Sequence, residues 1–181
     1  DFWYRAFDPA AAGGLTAATG NGGGLGHYGG WALIVTYEDK SKPFRRIAVY
    51  DGKMSGGGVG GGNSLTVPIT GLQTPVTGAF NTYLGALVWE GDAGLTGDGI
   101  KLNGMTLSDA GGPSNNFWNS GISYKGANVL DRTPNYLNNM AVDLKYVDAS
   151  GILSNNATTA EVEFFTSSDT YIPHALVFIT D

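Results

Sequence analysis

Apolar residues come in short runs along this chain, broken every few positions by glycine, asparagine or proline, and where they alternate they do so with a period of two. The longest run, Trp31-Ala-Leu-Ile-Val-Thr-Tyr37, is β-branched and aromatic with almost no alternation, which predicts a central strand covered on both faces. Ile47–Tyr50 follows as a strand closed by the turn pair Asp51-Gly52. In Ser64–Thr70, Leu65, Val67 and Ile69 alternate with small polar residues, and Pro68 marks an edge or a bulge. Leu84–Trp89 supplies another strand within Phe80–Glu90. Ile100–Leu102 and Met105–Leu107 form a hairpin across Asn103-Gly104. Further strands are expected at Gly121–Tyr124, at Ala141–Val147 with Val142, Leu144 and Tyr146 inward, at Ala160–Phe165 with Val162 and Phe164 inward, and at Ile172–Thr180. Asn135–Asn139 has room for one helical turn. With no long helical period and no strict repeat, the pattern predicts an all-β fold, a two-sheet β-sandwich or jelly roll with long Gly-rich loops.

The length, 181 residues, suits one domain. Within it, residues 1–28 read as an aromatic and Gly/Ala-rich N-terminal segment that packs on its own or on a neighbouring subunit. The 29 glycines follow no three-residue period, so collagen is excluded, and they fit turns that need positive φ. Charged residues make up only 14% of the chain, so Asn, Ser, Thr and Gly supply much of the polar surface. The net charge of -6 and the absence of a basic stripe argue against nucleic acid as a partner; Arg45-Arg46 is the only adjacent basic pair and suits a solvated strand edge. No cysteine is present, which removes disulfides and thiolate zinc sites. No apolar stretch approaches the ~18 residues of a membrane span. Asp1 at the start, without a signal-like segment, is expected of a mature or excised piece of an exported protein.

Little in the sequence points to catalysis. His27 and His174 stand alone, no Gly-x-Ser-x-Gly elbow occurs, and Gly56–Gly62 lacks the Lys-Ser/Thr ending of a phosphate loop. Glu90, Asp92 and Asp98, on a glycine-rich stretch, are candidates for a carboxylate pair, which needs a cleft that sequence does not reveal. Calcium fits the same residues better, because a hard cation takes carboxylate, amide and carbonyl oxygens; Glu90, Asp92, Asp98 and Asn116 form the candidate set. The alternative is a turn in which the Asp side chains accept backbone N–H bonds. Asp143 and Asp148 are weaker candidates. For glycans, Phe117, Trp118 and Asn119 place aromatic faces beside an amide, and Tyr136 does so again among Asn135, Asn138 and Asn139; the alternative is that these aromatics tuck onto the sandwich ends. Asn156-Ala-Thr158 is a formal glycosylation sequon.

Several segments taken in order resemble a known domain. They are Gly29-Gly-Trp-Ala-Leu-Ile-Val-Thr-Tyr-Glu-Asp39, Val49-Tyr-Asp-Gly52, Gly71-Leu-Gln-Thr-Pro75, Trp89-Glu-Gly-Asp-Ala-Gly-Leu-Thr-Gly-Asp98, Leu102-Asn-Gly104, Asn116-Phe-Trp-Asn-Ser120 and Thr166–Pro173. Together they resemble an uncharacterised domain of large secreted bacterial surface proteins, often found with tandem immunoglobulin-like repeats. That resemblance implies secretion, a β-sandwich, and a non-enzymatic role in adhesion or cell-surface architecture, and it carries no catalytic residues across. Here less β-sheet sequence precedes the Gly-Gly-Trp strand than in that domain, leaving open a sheet completed by a partner. The extended aromatic segment holding Phe2, Trp3, Tyr4 and Phe7 is a candidate for strand addition to another copy, which repeated head to tail would build a filament. The expected partners are therefore other copies of the chain or other surface-protein domains, with glycans as a third class.

Overall fold

The computed structural model describes residues 32–52 and 62–181. The chain divides into two units, Asp1–Lys40 and Ser41–Asp181, and the second holds every named strand. The strands are β1 (Arg46–Asp51), β2 (Ser64–Ile69), β3 (Thr82–Trp89), β4 (Asp98–Leu102), β5 (Met105–Thr106), β6 (Ile122–Tyr124), β7 (Ala127–Asn128), β8 (Val142–Asp148), β9 (Ala160–Thr166) and β10 (Ile172–Thr180). They form a six-stranded sheet in the order β1-β10-β3-β8-β6-β7 and a four-stranded sheet in the order β2-β9-β4-β5. There is no helix among the described residues, and the second unit is an all-β sandwich.

Alternation builds the core. Leu84, Ala86 and Val88 of β3, Leu176 and Phe178 of β10 and Val147 of β8 face Ile69, Ile100, Leu102, Val162 and Phe164 of the smaller sheet. Trp118, fully buried, closes one end of this core. It stacks on Phe164 at 5.6 Å and meets Phe117 and Tyr171 at 4.9 and 5.7 Å. The β4–β5 turn carries positive φ at both Asn103 and Gly104, the geometry that the right-handed twist of a two-residue hairpin demands. Lys125 and Gly126 repeat it between β6 and β7, a hairpin the apolar pattern did not announce because β7 is only Ala127-Asn128.

Three expectations are corrected. The apolar run expected as a central strand is, over residues 32–37, neither in a strand nor covered: Leu33, Val35 and Tyr37 are 62%, 65% and 78% exposed. In β8 the predicted facing is inverted. Asp143, Lys145 and Val147 point inward, while Val142, Leu144 and Tyr146 lie on the outer face. A one-residue change of phase moves a whole strand's side chains to the other face, and here a buried ion pair takes the inward positions that apolar residues were expected to fill. The single turn of helix expected at Asn135–Asn139 is irregular loop. Residues 1–31 and the glycine run at 53–61, with the predictions placed on them, lie outside the described residues.

Candidate functional site

Three places in the sandwich unit concentrate features that packing alone does not explain. The first is the outer face of the six-stranded sheet. Cross-strand register places Ile47 beside Ile179 and Tyr83, Val49 beside Val177 and Gly85, and Leu144 beside Leu87 and Ile122. Tyr146 stacks between Tyr83 and Tyr124 at centroid distances of 5.5 and 4.9 Å, and Lys125 caps Tyr83 at 4.2 Å. This face is therefore apolar from β1 to β6. Part of it stays in water, with Ile47 42%, Val49 45%, Leu144 47% and Tyr124 54% exposed. A contiguous apolar face of this kind marks a contact surface more often than scattered surface leucines do. At its margin β1 pairs, among the described residues, only with β10, and β2, the edge of the other sheet, pairs only with β9. Between those two edges lies an open apolar groove of about 280 Å³ bordered by Tyr50, Leu65, Val67 and Leu176.

The second place is the end of the sandwich where the β3–β4 loop, the segment before Trp118 and the β9–β10 loop meet. Asp98 is fully buried. Its Oδ1 accepts the Trp118 N–H at 2.7 Å, and an isolated parallel bridge sets it beside Asn116. Asp98 pairs across the ladder with Thr166, whose hydroxyl donates to the Asp169 carbonyl at 3.0 Å. That chain of contacts brings the 2% exposed Asp169 to the same end. Five buried side-chain oxygens among the described residues have no hydrogen-bond partner in the protein, and Asp98 Oδ2, Asn116 Oδ1 and Asp169 Oδ2 are three of them. An orphaned buried acceptor costs about 1–3 kcal/mol, more when charged, so three in one neighbourhood call for a physical account. Burial pushes the Asp98 carboxyl up from its ordinary value, against the N–H bonds that favour its charge. Asp169 is pushed up to about 6, mainly by burial and also by the charges of Asp92 and Asp98.

Of the four residues expected to hold a cation, the structure thus brings Asp98 and Asn116 together. Asp92 lies on the exposed part of the same loop, and Asp169 feels its charge. Glu90 follows β3 at φ +71° with its N–H donating to the Ala141 carbonyl, and its half-buried carboxyl is pushed up by burial and then by Asp92. Asp169, which sequence reasoning missed, lies 71 residues beyond Asp98 in a Ser-Ser-Asp-Thr turn whose composition resembles any other polar turn. Among the described residues no three Asp, Glu, His or Cys side chains already converge on one point.

The third place is a buried polar network. Asp143 accepts the Ser120 and Gly121 N–H groups at 3.0 and 2.9 Å. Lys145, 2% exposed, lies 3.5 Å from Asp143 and donates to Gly111 O at 2.8 Å and Asn119 Oδ1 at 2.5 Å. Burial raises the Asp143 carboxyl to about 6 and lowers the Lys145 ammonium from its ordinary value. All three ammonium hydrogens have acceptors inside this network, and its role is to fix the loop that carries Trp118.

The residues expected to bind glycans separate accordingly. Phe117 and Trp118 are 1% and 0% exposed, and as core residues they offer no face to a sugar. Asn119 spends its oxygen on Lys145 and its nitrogen on Gly111 O. Tyr136 alone is open, 60% exposed beside the exposed Leu137 and Met140. Its loop is pinned by Arg132, which donates to Val129 O, Pro134 O, Tyr136 O and Asn139 Oδ1. Phe2, Trp3, Tyr4 and Phe7 lie outside the described residues. His174 sits at the β10 bulge, edge-on to Trp89 at 6.0 Å. No described helix is long and apolar enough to cross a membrane.

No family model and no curated protein matches the sequence. Solved structures similar to it include BuGH86 in complex with neoagarooctaose, at 11% identity and a TM-score of 0.44 over 75% of this chain. A β-porphyranase of glycoside hydrolase family 86 from the human gut bacterium Bacteroides plebeius gives 17% identity and a TM-score of 0.43, also over 75% of this chain. A family 115 4-O-methyl-α-glucuronidase with specificity for decorated arabinogalactans gives 9% and 0.40 over 81%. The chain spans about a fifth of the length of these enzymes, 19%, 20% and 19% respectively. At such identity, and with these TM-scores below 0.5, nothing is carried from these enzymes to this chain.

Proposed function

We propose that this chain is a non-enzymatic, extracellular structural module of a surface protein, and that it joins copies of itself by strand addition at the edge of β1 that no described residue pairs. The observation that carries this reading is the outer sheet face, whose row Tyr146, Gly85, Val177 and Val49 is apolar up to that edge, with Arg45 and Lys125 over the Tyr83 ring beside it. A strand laid beside β1 would pair the backbone groups that no described residue pairs, and would extend the cover over Ile47 and Val49. The donor is the segment 32–37 of another copy. It has the β-branched composition of a strand, is six residues long like β1, and leaves Leu33, Val35 and Tyr37 exposed in its own copy. The edge at β2 suits a donor less well, because Pro68 has no N–H to give. Adhesion and surface architecture, which the resemblance to secreted surface-protein domains implies, agree with a module that works by being linked to others.

Light scattering on a sizing column tests the reading. The chain is expected to elute in species heavier than 18.9 kDa, with Val49→Lys or Val35→Lys returning it to the single-chain mass. A wild-type mass of 18.9 kDa at every soluble concentration would show that the segment serves its own copy and would overturn the proposal, as would assemblies that both lysine variants leave intact.

A second reading rests on Tyr136, whose exposed ring on an Arg132-pinned loop is a possible stacking surface for a sugar. Its test is the change in Tyr and Trp fluorescence on titration with oligosaccharides, and a Tyr136→Ala chain that responds unchanged would sink it.

A further inference from the structure

We propose that Asp98, Asn116 and Asp169 hold a calcium ion at the end of the sandwich where the β3–β4 loop crosses the β9–β10 loop. Three acceptor oxygens with no protein donor, two of them on carboxylates that are 0% and 2% exposed, are unfavourable as they stand and become favourable around a hard cation. The nearest ammonium is no substitute, because the donors of Lys145 go to Gly111, Asn119 and Asp143. Each protein ligand already has a hydrogen bond that aims it, and the backbone N–H groups of Phe117 and Asp92 also favour the charged forms of Asp98 and Asp169. Asp98 Oδ1 is held by the Trp118 N–H, Asp169 Oδ1 by the Thr170 N–H and Asn116 Nδ2 by the Ala93 carbonyl, which leaves the second oxygen of Asp98 and Asp169 and the amide oxygen of Asn116 for the ion.

The chemistry selects among metals. The donors are all oxygen, which disfavours zinc and copper. They come from three separate segments without a preset octahedron, and two carboxylates with an amide match the looser coordination of calcium better than that of magnesium. Asp92, on the same loop, adds negative charge nearby.

The ion would tie the β3–β4 loop to the β9–β10 loop, joining the two sheets at an end where Trp118 and Tyr171 already pack. It would thereby act as a staple in a chain that has no cysteine to make one.

The wild-type chain itself carries the first test. Terbium, a luminescent stand-in for calcium, should light up on excitation of the adjacent Trp118, and calcium should quench that signal by displacement. Calcium at about a hundredfold excess over its Kd should raise the unfolding midpoint by roughly 5–10 °C, reversibly in chelator. Magnesium at the same concentration should leave the midpoint unchanged. Asp98→Asn perturbs the Trp118 contact as well, so the decisive variant is Asp169→Asn, which should weaken calcium at least tenfold. The stability order should also cross: in chelator Asp169→Asn, freed of a buried charge, is at least as stable as wild type, and in calcium it is the less stable chain. No midpoint shift at millimolar calcium, an equal response to magnesium, or an unchanged response in Asp169→Asn would each overturn the proposal.

Discussion

Lys145→Met tests how the inward polar pair of β8 is held together. The substitution keeps the length of the side chain and removes its charge, leaving Asp143 with two backbone N–H bonds but no counter-charge, and Gly111 O and Asn119 Oδ1 without their donor. Removing one partner of a pair that is 0% and 2% exposed costs about 3–5 kcal/mol. The loss depends on pH in a definite sense. Burial holds the Asp143 carboxyl at about 6, above its ordinary 3.8, so the native state keeps this proton better than the unfolded chain does. Stability from that group is fully present below the unfolded value and is lost as pH rises through about 6. Without Lys145 the carboxyl rises further and the loss extends to higher pH. Urea unfolding followed by tryptophan fluorescence should therefore give a destabilisation larger at about pH 7.5 than at about pH 5, by at least about 1 kcal/mol, with an unchanged m-value. A cost under about 1 kcal/mol at both pH values would refute the claim that this pair bears on stability, and an equal larger cost at both would refute the charge argument.

Two further substitutions probe the packing around the same loop. Trp118→Ala removes the ring that joins Phe117, Phe164 and Tyr171 and should lower stability by roughly 3–5 kcal/mol in denaturant titration; a change below about 1 kcal/mol would mean that the end of the core collapses without it. Gly91→Ala would place its Cβ 2.1 Å from Asp143 Oδ2 and 2.5 Å from Trp118 O, so a cost of roughly 1–3 kcal/mol is expected, and a neutral result would show that the loop shifts freely.

The sandwich was legible wherever the chain alternates against a single core. Leu65, Val67 and Ile69 in β2 and Val162 and Phe164 in β9 fall on the predicted face, and Asn103-Gly104 makes the predicted turn. Pro68 is on an edge strand, as its missing N–H requires. Legibility failed where hydrophobicity and facing part company. Val142, Leu144 and Tyr146 are the apolar residues of β8, and periodicity has no means of telling that the sheet has a second apolar face to receive them. The segment 32–37 fails for a related reason: composition reports that it is competent to be a strand, but not whether the fold gives it a neighbour to pair with. The acidic end was half legible. Asp98 and Asn116 belong to a glycine-rich loop pattern, whereas Asp169 is joined to them through the β4–β9 ladder, a pairing 68 residues apart, and through bonds of Ser167 and Ser168 to Gly97 and Thr96 that no local motif encodes.

The inverted facing of β8 and the apolar outer sheet have one physical origin. A strand that buries Asp143 and Lys145 toward the core gives up hydrophobic burial there, and the pair recovers only part of that loss through its hydrogen bonds. Were the outer face meant for water, the cheaper solution would be to turn β8 over, placing Leu144 and Tyr146 inside and the charges outside. The network at Ser120, Gly121, Gly111 and Asn119 prevents that exchange, because it spends the inward charges on fixing the loop that seats Trp118. The outer apolar residues then stay partly in water, Leu144 at 47% and Tyr124 at 54% exposed.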